Sequence, residues 1–169
     1  EKGVWARNTE GDAFKSLIKN VEPGKALILG SGHGARTIVM ALFELGWKVK
    51  VWNRMVTKSR VFQTTFLRYG QVEVTSAPDP IGCKLVVNAT PLGAKPGEKA
   101  PLIWPSLKPR GMIVDLVYRR VPTELLREGS LRSQETVDGR DLLVESVALT
   151  LEWLTNINIE REPMRYALE

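Results

Sequence analysis

Three glycines at alternate positions follow a short apolar run. Residues 30 to 35 read Gly-Ser-Gly-His-Gly-Ala, which matches the pattern G-x-G-x-x-G/A. Between a strand and a helix, such a loop binds the diphosphate of a dinucleotide. Gly30 permits the tight turn, Gly32 lets the backbone approach the diphosphate, and Ala35 allows close packing of helix on sheet. The helix N-terminus then offers N–H groups and a positive dipole end. The loop predicts a dinucleotide site; the alternative is a turn needed only for packing.

The end of the second apolar run indicates which dinucleotide is bound. A site selective for NAD places Asp or Glu there, to accept hydrogen bonds from the ribose hydroxyls. This chain has Asn53 and Arg54 instead, followed by Lys58. Arg54 can pair with a 2′-phosphate and stack on the adenine, and Lys58 can add positive charge. The pattern therefore predicts NADP, whereas Arg60 is typical of a solvated helix face.

The chain has one histidine, His33, and one cysteine, Cys83. The position of His33 within the glycine loop predicts a phosphate neighbour or a surface residue rather than an acid–base group. Cys83 lies just before an apolar run and is interpreted as a small core residue. A single cysteine forms no internal disulfide, which favours a reducing, cytoplasmic location. Neither residue has a partner of its kind, so no metal site is expected.

Size and composition are those of one ordinary globular domain. The chain has 169 residues, of which 43% are hydrophobic, and a net charge of +5. No apolar run is long enough to span a membrane, and the first residues do not form a signal peptide. The basic residues are dispersed and form no nucleic-acid-binding motif, so we expect an anionic small ligand, with neither nucleic acid nor membrane as partner. Nothing in the sequence indicates the oligomeric state.

Helix-like and strand-like segments alternate along the chain. The apolar patterns predict helices over 9–20, 35–45, 59–70, 123–130 and 141–156, and strands over 25–29, 48–52, 71–75, 84–89 and 112–118. Thr9 is the expected cap of the first helix. This alternation predicts an α/β fold of the Rossmann-like, doubly wound type, with a parallel sheet and helices on both faces. The ligand should lie beyond the carboxyl ends of the strands.

Six motifs, taken together in this order, resemble the shikimate dehydrogenase family. They are "NTEG" (8–11), "LGSGHGAR" (29–36), "NR" (53–54), "VVNATPLG" (86–93), "VDLVYRRVPTELL" (114–126) and "VDGRDLLVESVAL" (137–149). The resemblance implies that residues 1–169 are a single NADP-binding Rossmann domain, the C-terminal domain of a longer two-domain enzyme. The N-terminal substrate domain of that family, which carries a catalytic lysine, is absent from this chain. The fragment alone is therefore expected to be inactive.

The resemblance also implies roles for individual residues. The diphosphate loop would consist of Gly30, Ser31, Gly32, His33, Gly34 and Ala35. The clamp on the 2′-phosphate would consist of Asn53, Arg54 and Lys58. The segment under the cofactor ribose would be Asn88, Ala89 and Thr90. The neighbours of the nicotinamide would be Val117, Gly139 and Leu142. Tyr118 would contact the substrate.

Two positions depart from the family pattern. Glu10 stands where the family has a catalytic aspartate, which moves the carboxylate by one methylene. Ser146 stands where the family has a substrate-binding glutamine, with Glu145 beside it. The implied activity is the NADPH-dependent reduction of 3-dehydroshikimate to shikimate, in aromatic amino acid biosynthesis through chorismate.

Two other functions stay open. One is a non-catalytic or divergent dinucleotide-binding module, such as a paralogue acting on quinate. The other is a tRNA-linked reductase, which would need a thiol nucleophile. Cys83 is badly positioned for that role, because it precedes a strand.

Overall fold

A computed structural model describes residues 3–107 and 110–168 of the chain. Its strands are β1 (Lys25–Leu29), β2 (Lys48–Trp52), β3 (Val72–Thr75), β4 (Leu85–Asn88), β5 (Met112–Asp115) and β6 (Glu135–Val137). Its helices are α1 (Thr9–Leu17), α2 (His33–Glu44), α3 (Val56–Thr65), α4 (Glu124–Leu131), α5 (Gly139–Thr155) and α6 (Arg161–Tyr166), with a short 3-10 helix at Trp104–Ser106.

The strands form one parallel sheet in the order β3-β2-β1-β4-β5-β6. This is the order of a Rossmann-like, doubly wound sheet, so the predicted fold class is confirmed. Apolar side chains on both faces hold the sheet. One cluster packs it against α1, α2, α3 and α5, and the other packs it against α4 and the irregular segment before β5. The continuous apolar runs of β1 and β4 are buried on both faces, as central parallel strands require.

The structure corrects several of the predicted elements. The helix after the glycine loop begins at His33 rather than at residue 35, and the next helix begins at Val56 rather than at 59. The strand predicted over 112–118 ends at Asp115. The sequence patterns missed β6, whose three residues lie at the sheet edge and are exposed or half-buried, which leaves no apolar signal.

Helix α1 packs across α5 on the sheet face that also carries α2. The predicted cap was wrong: the side chain of Asn8, not Thr9, accepts the hydrogen bond from the backbone of Gly11. The hydroxyl of Thr9 instead lies 2.9 Å from that of Thr150 and 3.4 Å from that of Ser146 on α5. The first turn of α1 is therefore joined to the middle of α5.

The predicted apolar side of the last long helix does not face the core. Its residues are exposed by 38 to 66%: Leu143, Val147, Leu151 and Leu154. The buried side carries Leu142, Val144 and Ala148. A helix that is apolar on both sides is typical of one enclosed between two layers of protein. None of the helices in the described ranges is both long and apolar enough to cross a bilayer.

Candidate dinucleotide site

The strand order reverses between β1 and β4, which makes this the topological switch point of the sheet. These strands are hydrogen-bonded neighbours, yet β1 continues outward to β2 and β4 continues outward to β5. The segments that leave their carboxyl ends therefore diverge and open a crevice. In doubly wound sheets, ligands bind in this crevice.

The glycine loop forms one wall of the crevice and is packed closely against the segment after β4. Gly30 has a φ of 106°, a conformation that favours glycine, and its N–H donates to the carbonyl of Trp52 at 2.8 Å. A Cβ atom there would lie only 2.7 Å from the carbonyl oxygen of Ala89. Both the turn and the close approach therefore require glycine at this position.

The second half of the loop is open towards the crevice. A Cβ on Gly32 would meet no atom within 4 Å, and the α2 N-terminus, for which Gly32 is the cap residue, has no side-chain cap. The first N–H groups of the helix are thus left for an anionic ligand. His33 is exposed at the first position of α2, as predicted, while Ala35 is fully buried. A Cβ on Gly34 would lie 3.2 Å from Leu116, which holds α2 close to the segment after β5.

Asn53 joins the glycine loop to the start of α3. Its side-chain amide donates to the hydroxyl of Ser31 at 2.9 Å, and its carbonyl accepts from the backbone of Met55 at 3.0 Å. Arg54 and Lys58 follow it and are exposed. Within the described ranges neither cation forms an ion pair, so both charges are available to a ligand. A cluster of this kind suits a phosphate.

One cavity of about 360 Å³ brings these groups together. Its lining consists of Gly30, Ser31, Gly32, Trp52, Asn53, Arg54, Lys58, Ala89, Thr90, Pro91 and Leu92. The first three residues of the predicted diphosphate loop, the predicted 2′-phosphate clamp and two of the three predicted ribose neighbours thus meet in one space, whereas His33, Gly34 and Ala35 are not part of the lining. The third predicted ribose neighbour, Asn88, is fully buried beneath it.

Asn88 shapes the segment that runs under the cavity. Its side-chain carbonyl accepts from the backbone and the hydroxyl of Thr90, at 3.1 and 2.7 Å. Its side-chain amide donates to the backbone carbonyl of Leu92 at 3.0 Å. The side chain of Asn88 therefore orients the loop rather than facing the cavity.

Asp115 and Thr123 were not recognised in the sequence. Asp115 ends β5 with a fully buried carboxylate, which accepts hydrogen bonds from the side chains of Asn88 and Thr123 and from the backbone of Val117. Burial raises the pKa of this carboxyl, and the three donors act in the opposite direction. An acidic residue at the end of a buried apolar run was the available sequence signal.

The predicted nicotinamide neighbours lie around the segment after β5, outside the cavity lining. A Cβ on Gly139 would lie 2.6 Å from the carbonyl oxygen of Val117, so the start of α5 touches this segment directly. Leu142 is 6% exposed and packs in the core on the α5 side. Tyr118 is half exposed at 50% and is free to contact a further ligand or protein surface.

The predicted catalytic and substrate residues lie on the α1–α5 contact. Glu10 is half-buried in the first turn of α1, and the neighbouring Thr9 contacts Ser146 on α5. Glu145, beside Ser146, forms an ion pair with Arg161 at 3.0 Å. The structure brings Glu10 and Ser146 to the same region, although neither lines the cavity within the described residues.

Cys83 lies at the amino end of β4, on the edge of the sheet opposite the crevice. It is 6% exposed, which confirms the predicted core position, and burial raises the pKa of its thiol to about 11. A thiol with this pKa is almost fully protonated at neutral pH and is a poor nucleophile. Both findings argue against a thiol-dependent reductase. Within the described residues, no group of three or more His, Cys, Asp or Glu side chains could hold a metal ion.

We expect alkylation of Cys83 to be slow in the folded protein. Because the raised pKa alone lowers the thiolate fraction by about a hundredfold, iodoacetamide should modify the native chain at least that much more slowly than the urea-unfolded chain. Mass spectrometry reports on this site alone, since the chain has one cysteine. Equal rates in the two states would contradict the buried position.

Comparison with known proteins gives sequence relatives over nearly the whole chain, although no family model matches it. Shikimate dehydrogenase (NADP(+)) of Jannaschia sp. (strain CCS1) is 35% identical, and the match covers 98% of this chain and 63% of that protein. The same enzyme of Synechococcus sp. (strain JA-3-3Ab) is 36% identical, and the match covers 99% of this chain and 61% of that protein. The chain thus spans about three fifths of the length of the curated relatives it matches.

Solved structures agree with these relatives. Shikimate 5-dehydrogenase from Thermus thermophilus, solved with NADP(H) and shikimate, superposes with a TM-score of 0.83 at 29% identity. The match covers 95% of this chain and 61% of the Thermus chain. The 5-ketofructose reductase of Gluconobacter sp. strain CHM43 has a TM-score of 0.86 at 24% identity, covers 95% of this chain and 62% of its own, and shows the shared fold alone. The resemblance seen in the motifs is confirmed: the chain is a homologue of shikimate dehydrogenase, to which it corresponds over about three fifths of that enzyme's length.

Proposed function

We propose that this chain is the NADP-binding part of a shikimate dehydrogenase, an oxidoreductase that reduces 3-dehydroshikimate to shikimate. The observation that carries the proposal is the single cavity that joins the glycine loop, the Arg54–Lys58 cluster and the segment after β4. A dinucleotide that carries a 2′-phosphate suits these three features together, and the curated relatives are NADP(+) enzymes.

The positions of these groups define a direction for the bound cofactor. Arg54 and Lys58 lie at the β2 side of the crevice, so the adenosine with its 2′-phosphate belongs there. The uncapped start of α2 in the middle holds the diphosphate. The nicotinamide half then extends over β4 and β5, towards Val117, Gly139 and Leu142.

The bound dinucleotide would supply the hydride for the ketone carbon of the substrate. The chain's own contribution beyond cofactor binding is a set of groups at the rim of the site. Glu10 is the proposed catalytic carboxylate. It would stabilise the positive charge of the lysine that acts on the reacting hydroxyl. Tyr118 and Ser146 are the proposed substrate contacts. The resemblance implies that the remaining acid–base group, a lysine, would come from a substrate domain.

The proposal includes a substrate domain that packs on this one. The exposed apolar side of α5 supports it, since Leu143, Val147, Leu151 and Leu154 lack a covering layer within the described residues. A contiguous apolar face of this kind is typical of a protein–protein contact. We also assign the activity to the cytoplasm and to the biosynthesis of aromatic amino acids through chorismate.

A second candidate function is a divergent ring-alcohol dehydrogenase, such as one acting on quinate, or a module that binds the cofactor without catalysis. One observation favours it. The hydroxyl of Ser146 lies 3.4 Å from that of Thr9, so a contact within the protein competes with a substrate oxygen. Substrate selectivity of the full-length gene product distinguishes the candidates: shikimate oxidation with NADP supports the first, and oxidation of quinate alone or of neither compound supports the second.

Replacing Arg54 with alanine should remove the preference for NADP. Loss of a charge-assisted contact to phosphate costs about 1.5 to 3 kcal/mol, which lowers NADPH affinity by about ten- to a hundredfold and leaves NADH affinity nearly unchanged. Calorimetric titration of the chain with both nucleotides measures this. Arg60→Ala is the matched control, because it removes the same charge from the exposed part of α3 without lining the cavity.

The titration separates the alternatives. Tighter binding of NADPH than NADH, lost in Arg54→Ala and kept in Arg60→Ala, supports the NADP site. Equal losses in both variants would point to general electrostatic attraction. No binding of either nucleotide to the wild-type chain would contradict the proposal and leave the glycine loop with a packing role.

A further inference from the structure

Asp115 lies at the centre of a buried hydrogen-bond network beneath the crevice. Its carboxylate is fully buried and accepts from the side chains of Asn88 and Thr123 and from the backbone of Val117, at 2.8, 2.6 and 3.1 Å. No cation of the described ranges pairs with it. A buried carboxylate is costly unless hydrogen bonds satisfy it, so these donors are held firmly. The network joins the ends of two neighbouring strands to the start of α4.

Each donor fixes a different segment. Asn88 continues to Thr90 and Leu92, which line the cavity. The N–H of Val117 fixes the turn after β5, and that turn contacts Gly139. Thr123 also accepts from the backbone of Leu126 and thereby caps α4.

A fourth contact closes the network over its outer side. The guanidinium of Arg119 donates to the carbonyl of Gly93 at 3.2 Å. Gly93 has a φ of 105° and lies against the side chains of Thr123 and Asp115. The segments after β4 and β5 are therefore linked twice: by Asn88 and Asp115 where they leave the strands, and by Gly93 and Arg119 further along.

Both segments leave the half of the sheet that is built from β4, β5 and β6. A doubly wound sheet consists of two mononucleotide-binding halves, and the dinucleotide lies across the crevice between them. Arg54 and Lys58 belong to the half built from β1, β2 and β3. The network belongs to the half built from β4, β5 and β6, and so to the nicotinamide half of the cofactor.

We infer that Asp115 is a positioning residue for the nicotinamide half of the cofactor, acting through Asn88, Thr123 and the backbone of Val117. The inference rests on the proposed NADP-binding function and adds to it a residue that touches no ligand. Its effect should be confined to one half of the dinucleotide. The adenosine half is held chiefly by Arg54 and Lys58 of the other half, which form no hydrogen bond with the network within the described residues.

The test compares NADPH with 2′,5′-ADP, which has the adenosine and its 2′-phosphate but no nicotinamide. In Asp115→Ala the three donors lose their acceptor, and we expect NADPH affinity to fall by about tenfold or more while 2′,5′-ADP affinity changes by less than about threefold. Asp115→Asn keeps the shape and can accept from Asn88 and Val117 while donating to Thr123. It should restore most of the NADPH affinity.

Two further variants guard against a general loss of stability. Leu85→Ala removes a fully buried side chain at the far end of β4 and should destabilise the fold while leaving the ratio of the two affinities unchanged. Thr123→Val removes one donor to Asp115, together with the cap acceptor of α4, and keeps the side-chain shape. It gives the same test if Asp115→Ala does not fold: a smaller loss of NADPH affinity with no loss for 2′,5′-ADP.

The outcomes distinguish this inference from the proposed function. If the wild-type chain binds neither ligand, the proposed function fails and the inference fails with it. If the wild type binds both and Asp115→Ala or Thr123→Val lowers both affinities alike, or lowers neither, only the inference fails. A selective loss of NADPH supports it.

Discussion

Replacing Gly30 with alanine should both destabilise the fold and abolish cofactor binding. An L-residue at a φ of 106° is strained, at a cost of about 1 to 3 kcal/mol. The new methyl would also lie 2.7 Å from the carbonyl oxygen of Ala89, and relieving such an overlap costs a further ~1 to 3 kcal/mol. Urea denaturation should show the combined loss in the free energy of unfolding, and the displaced loop should leave NADPH affinity undetectable.

Gly32→Ala is the matched control in the same loop. The added methyl meets no atom within 4 Å, and the φ of −86° is accessible to alanine. Unfolding should therefore change by less than about 1 kcal/mol. The methyl nevertheless occupies the surface that a diphosphate must approach, so NADPH affinity should still fall by about tenfold. If Gly30→Ala proved as stable as Gly32→Ala, the close contact with Ala89 would be wrong.

Phe14→Ala should give the largest loss of stability among the core changes considered. Phe14 is fully buried on α1 and packs in the cluster shared with α2 and α5. Truncating a buried phenylalanine costs about 3 to 5 kcal/mol, because the cavity left behind collapses only partly. Equilibrium urea denaturation of the wild-type and variant chains measures this cost as a shift of the midpoint.

Leu154→Ala tests whether exposure decides the effect. Leu154 is apolar, lies on α5 and is 66% exposed, so its truncation should change the free energy of unfolding by less than about 0.5 kcal/mol. A cost below about 1 kcal/mol for Phe14→Ala, or a comparable cost for the two variants, would contradict the packing of α1 on α5.

Most of the sheet could be predicted because its central strands are continuous apolar runs. β1 and β4 are buried on both faces, so their sequences carry no competing polar pattern. β6 was missed for the opposite reason, since Glu135 and Thr136 are exposed at the edge. The orientation of α5 was equally hidden, because a helix with apolar residues on both sides has no single face to assign.

The two halves of the site also differ in how well the sequence predicts them. The glycine loop and Arg54 are close together along the chain, and their spacing alone indicates a dinucleotide. The Asp115 network joins Asn88, 27 positions before it, and Thr123, 8 positions after it. Asn88 and Asp115 meet only because β4 pairs with β5 in a register that places them side by side. A pattern along the chain does not contain that pairing.

The contact between α1 and α5 has a consequence for the order in which the molecule folds. Thr9 and Thr150 touch across 141 positions of sequence, whereas neighbouring strands of the β1–β2–β3 half are joined by short crossovers. Closing so long a loop costs more chain entropy, so this contact should form after the sheet. Interactions formed late govern the rate of unfolding rather than the rate of folding. The first helix of the chain is therefore expected to be the last to become fixed, and Glu10 reaches its position only with it.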